Sequence, residues 1–112
     1  MSRRLFAALF GFGLAVSLIP QVLRAEEDHI TEAILHTKQA LIHGRNGHAD
    51  LVSEHAKVAL SHARAADIAK GNPHTSDAVK ELEQTIGESK MNHAVMATGH
   101  AEAALTHLEQ AK

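Results

Sequence analysis

Ten histidines stand in 112 residues, and nine of them fall in three runs of strict seven-residue spacing. The runs are His29, His36, His43; His48, His55, His62; and His93, His100, His107. His74 stands alone, but it heads a stripe that continues at the same spacing with Glu81 and Glu88. Seven residues are nearly two helical turns, so each run lies on one helix face with steps of about 10.5 Å. Neutral imidazole is a metal donor, and it favours Cu(II), Ni(II) or Zn(II) over Mg(II) or Ca(II), with Cu(II) heading the affinity series. Catalytic zinc needs three protein donors and a nearby general base, and no such constellation is visible, so an enzyme is not expected. Several similar, solvent-accessible sites suit buffering or carriage of ions.

The chain repeats itself with a shift of 45 residues. His29 then falls on His74, His36 on Glu81, His43 on Glu88, His48 on His93, His55 on His100 and His62 on His107. HAKVALSH in the first half answers HAEAALTH in the second. Each half reads as one helical hairpin. Folding the first at GRNG sets His43 against His48, His36 against His55 and His29 against His62. Folding the second sets Glu88 against His93, Glu81 against His100 and His74 against His107. The expectation is a ladder of two-donor rungs in each hairpin. Extra oxygen donors lie one turn away at Glu32 and Asp77. Met96 shares a helix face with His93 and His100 and offers a thioether suited to Cu(I). The packing alternative, which the repeat favours, has Met96 covering the next helix as Leu51 does in the first half. Heptads of polar core layers, or a pH switch built on imidazole, are the rival readings of the ladder itself.

The elements that must carry these stripes are helices. From Glu26 onward the chain is rich in Ala, Glu, Lys, Gln and Leu, with helical periodicity in Ile30, Ile34, Thr37 and Leu41. Breaks at GRNG (Gly44 to Gly47), KGNP (Lys70 to Pro73) and GESKMN (Gly87 to Asn92) divide it into helices near 28–43, 48–69, 75–89 and 92–111. Asp28, Thr75 or Ser76, and Asn92 are the expected N-caps. Short connections make neighbours antiparallel. The fold expected is all-α, an antiparallel four-helix bundle of two repeated hairpins, 28–69 and 74–111.

The first 25 residues read differently. A basic start (MSRR), a 15-residue apolar run and a tail ending in Ala25 form the pattern of a cleaved signal peptide. The run is short of the about 20 residues of a membrane span. Residues 26–112 then form the mature domain, expected to be exported, free of the membrane and monomeric. It keeps 8 Lys and Arg against 13 Asp and Glu, a net charge of −5 with neutral imidazoles. An acidic chain without basic runs argues against nucleic acid as a partner. With no cysteine there is neither a disulfide nor a thiolate site.

The motifs HGRNGHADLVSEHAK, LSHARAADIAKGNPH and HAEAALTH together resemble the small metal-binding protein family, over about His29 to Lys112. The resemblance implies an exported bacterial four-helix bundle that binds several divalent ions, copper most prominently. It carries the donor role to His29, His36, His43, His48, His55, His62, His74, His93, His100 and His107. This chain departs from the pattern in its third helix, where Asp77, Glu81 and Glu88 stand in place of histidine; such rungs hold copper less selectively. Two readings outside metal carriage compete. A haem bundle lacks both a C-x-x-C-H motif and large aromatics for a pocket. A pH-sensitive helical interaction module would use the histidines without metal.

Overall fold

The computed structural model describes residues 21–112. They form four α-helices: α1 (Gln21–Arg45), α2 (Ala49–Ala69), α3 (Pro73–Lys90) and α4 (Ala94–Ala111). Neighbours in sequence pack together, α2 also packs on α3, and α1 on α4. The result is an all-α, antiparallel four-helix bundle. Exposed ion pairs link the hairpins, Arg64–Glu83 at 2.8 Å between α2 and α3 and Arg45–Glu102 at 3.4 Å between α1 and α4. At such exposure they set pairing more than stability. Residues 1–20 of the expected leader lie outside the described residues, and its last five begin α1.

The heptad explains why these helices associate. Every ligand-type position except His93 is followed by a buried residue: His36 by Thr37, His55 by Ala56, Glu81 by Leu82 and His107 by Leu108 are fully buried examples. The donor stripe therefore flanks the packing seam, the place a g position takes beside the a and d residues of a coiled coil. In an antiparallel pair the flanking positions of both helices meet in one groove, so the core repeat itself pairs the donors.

The core is Ala-rich and uneven. Its larger side chains (Ile30, Ile34, Leu60, Leu82 and Leu108) gather in one cluster with Ala33, Ala59, Ala63, Ala66, Ala78 and Ala104. Toward the two hairpin turns it thins to Ala40, Val52 and Ala97. Buried hydroxyls satisfy themselves on their own helix: Thr37 donates to the Ala33 carbonyl at 2.7 Å and Thr85 to that of Glu81 at 2.8 Å. Local bonding of this kind admits a polar atom to a small core without an orphaned donor.

The two hairpin turns are the same turn. His48 N donates to the His43 carbonyl and His93 N to the Glu88 carbonyl, both at 2.9 Å. Gly47 N reaches Gly44 O at 3.1 Å, and Asn92 N reaches Ser89 O at 3.0 Å. These nested bonds are a Schellman motif, which needs a left-handed residue just past the helix. Gly47 has φ +77° and Asn92 φ +62°, one repeat apart. Asn92 is thus the closing residue of α3 and not the expected N-cap of α4; His93 takes that place, without a side-chain cap. A Cβ at Gly47 would meet nothing within 4 Å, so the cost of Gly47→Ala is backbone strain alone. Chemical denaturation should show a loss of about 1–2 kcal/mol.

Two further caps differ from expectation. Pro73 occupies the first turn of α3, so the cap moves back to Asn72, whose side chain accepts from His74 N at 2.8 Å and Thr75 N at 3.0 Å. Thr75 completes a capping box and also donates to Asp67 of α2 at 2.9 Å. Neither Thr75 nor Ser76 is the cap. Asp28 lies inside α1, because helical backbone continues back to Gln21.

Candidate metal centre

All six expected pairs come together. In the first hairpin the ring centroids of His29 and His62 are 5.3 Å apart, those of His36 and His55 5.9 Å, and those of His43 and His48 6.3 Å. In the second, His74 and His107 lie 6.1 Å apart. His100 Nδ1 is 2.8 Å from Glu81 Oε2, and His93 Nδ1 is 2.8 Å from Glu88 Oε2. The rungs nearest the turns, His43 with His48 and Glu88 with His93, are the two ends of the 6→1 bond of the Schellman motif. The turn therefore fixes the register of each ladder.

The sequence does not disclose that the rungs of the first hairpin merge. His36 also stacks on His62 at 6.2 Å with ring planes 5° apart, and His43 on His55 at 5.1 Å and 6°. The order His29, His62, His36, His55, His43, His48 is one zigzag column of six imidazoles. Successive rings alternate between α1 and α2, which halves the repeat of about 10.5 Å along either helix. Diagonal neighbours are as close as rung partners, so each inner ring has two.

Several atoms fit a metal ion. Nδ1 of His29 and Nδ1 of His62 are 3.0 Å apart. Two nitrogens bound cis to one tetragonal ion, at about 2.0 Å each, are about 2.8 Å apart. Without metal, one of the two rings must carry the Nδ1 proton and the other accept it. Nδ1 of His36 and of His107 are buried with no hydrogen-bond partner, an arrangement that is costly for the bare side chain and that a further ligand would relieve. Glu32, anticipated as an auxiliary donor, has Oε2 3.9 Å from His36 Nε2. Asp77 pairs with Lys80 at 3.8 Å instead of with His74. Among the described residues no three His, Asp or Glu side chains converge on one point. A third donor must come from a rotated ring, a water or the adjacent rung.

Electrostatics acts on one ring of the column, His55. Partial burial, and then the charges of His43 and His36, lower the His55 pKa below its ordinary 6.5; Glu54 opposes them. A base whose pKa is lowered on folding favours the fold in its neutral form. The contribution is complete above pH 6.5 and is lost as pH falls through the lower folded value.

Met96 departs from the packing expected of it. It is 54% exposed and lies outside the core, whereas Leu51 at the repeat-equivalent position is half-buried.

Fold and site together define a four-helix bundle with donor side chains along both hairpin seams. The chain belongs to the small metal-binding protein family, whose model matches residues 3–111. No curated protein matches it. Metal ions are thus its partners. Among the described residues no helix is long and apolar enough to cross a membrane.

Proposed function

We propose that this protein sequesters or carries several divalent ions, chiefly Cu(II), in the periplasm, using the paired donors of its two seams. The observation that carries this reading is the continuous column of six imidazoles in the first hairpin, unmixed with carboxylate. A nitrogen-only donor set favours Cu(II) over Zn(II) and Ni(II) by the ordinary affinity order. In the second seam His74 and His107 offer the same chemistry, while Glu81 and Glu88 turn two rungs into mixed sites. The protein's part is to hold neutral rings at short spacing on a bundle whose turns fix their register. Half-exposure lets ions enter and leave, which suits a reservoir better than a permanent structural centre. The signal-like first 25 residues support export.

Calorimetric titration with Cu(II) tests this. Several equivalents should bind at pH 7.4, and binding should fail at pH 5, where imidazoles of ordinary pKa near 6.5 are protonated. His55 should hold its neutral form to lower pH than an unperturbed imidazole. No binding at either pH overturns the proposal and leaves the seam as a packing or pH device.

A further inference from the structure

We propose that Met96, with His93 and His100, forms a Cu(I)-selective site on α4, distinct in kind from the imidazole column. The inference rests on the metal-carrier reading only in treating these two imidazoles as donors; the thioether and the oxidation state are new to it.

Within α4, Met96 precedes His100 by four residues, which makes the two surface neighbours, and it follows His93, the N-cap, by three. Its side chain is not consumed by packing, being 54% exposed while Ala97 beside it is fully buried. The two imidazoles are already oriented. His93 Nδ1 and His100 Nδ1 are each held 2.8 Å from a carboxylate oxygen, of Glu88 and Glu81 respectively. A neutral ring that donates from Nδ1 carries its lone pair on Nε2, the atom a metal takes. The carboxylate behind it fixes that tautomer and raises its basicity. Glu81 and Glu88 thus serve as hydrogen-bond partners behind the donors, in addition to any direct role on divalent ions.

A thioether beside such an imidazole is a soft donor set. It adds little for Zn(II) or Ni(II) and selects Cu(I). The first hairpin has no counterpart: Leu51 stands where Met96 does, and the histidines there have imidazoles for neighbours. The 45-residue repeat therefore placed a soft donor in one seam alone. Met91, also exposed, sits before the left-handed Asn92 and outside α4, so it does not share this helix face.

The test is competition for Cu(I) between the full chain and a bathocuproine chelator, under anaerobic ascorbate. Met96→Leu installs the residue the first half uses, so α4 should keep its helicity. Its Cu(I) affinity should fall about tenfold or more, the scale of a lost metal-site partner, with Cu(II) stoichiometry unchanged. Met91→Leu should behave as wild type. Wild-type Cu(I) affinity in Met96→Leu, an equal loss in Met91→Leu, or no Cu(I) retained by wild type would each overturn the proposal. Failure of the carrier reading would appear separately, as absence of Cu(II) binding by wild type.

Discussion

Replacing His36 and His55 together with alanine should remove roughly one equivalent of Cu(II) and weaken the binding that remains. The two rings are the middle of the column. His55 has His36 at 5.9 Å and His43 at 5.1 Å; His36 has His62 at 6.2 Å as well. Their loss leaves His29 with His62 at one end and His43 with His48 at the other, with no ring between. Alanine is the best helix former, so the helices themselves should persist. Calorimetry at pH 7.4 decides the matter, with circular dichroism to confirm helicity. Unchanged stoichiometry would mean that the column does not hold the ions. Loss confined to a single rung, with full affinity elsewhere, would mean that diagonal neighbours do not cooperate.

Gly44→Ala should destabilise the bundle by about 1–3 kcal/mol, the usual cost of forcing atoms into a filled space. Gly44 is buried in the last turn of α1, against α4. A Cβ built there would fall on Thr98 Oγ1, with Thr98 Cβ at 3.3 Å and Val52 Cγ2 at 3.4 Å. Thr98 cannot turn aside without losing its 2.6 Å bond to the Ala94 carbonyl. The core cluster at this level is Ala40, Val52 and Ala97, whose small side chains let the helices approach closely. Thr98→Ala in the same chain should recover part of the loss by removing the oxygen. Thermal unfolding of both variants measures this; a single variant as stable as wild type would show that α1 and α4 separate freely at the turns. Cu(II) should partly restore Gly44→Ala, because an ion that binds only the folded state adds stability by mass action.

The fold was legible because one pattern serves two purposes. A seven-residue stripe of His beside small core residues states the helix, the antiparallel partner and the register at once. The pairing of His29 with His62 and of His36 with His55 follows from it, as does the repeat of the turn after 45 residues. What escaped the sequence depends on three-dimensional detail. The diagonal stacking of His43 on His55 arises from the alternation of rings between two helices, which a single-helix wheel does not represent. Asn92 reads equally as an N-cap or as a left-handed closing residue, and the matching Gly47 was the signal that separates them. Asn72 was masked by the more familiar Thr and Ser that follow Pro73. The exposure of Met96 could not be read from its resemblance to Leu51, since packing at a thin end of the core tolerates either residue outside it. Gly44 looked like one half of a turn motif, and its contact with Thr98 links residues 54 positions apart.

The near-even spacing of the six rings has a further consequence for an ion bound between them. If ions bind between neighbouring rings, no inner imidazole belongs to one site, and the column would act as a one-dimensional lattice with more possible positions than it can fill. An ion that takes two neighbouring rings denies both to the next ion, and crowding weakens each later arrival. The isotherm should then be shallow, and the number of ions held should track their supply instead of saturating at a fixed count. An ion could also shift by releasing one ring while keeping the other, moving along the seam without passing through bulk water.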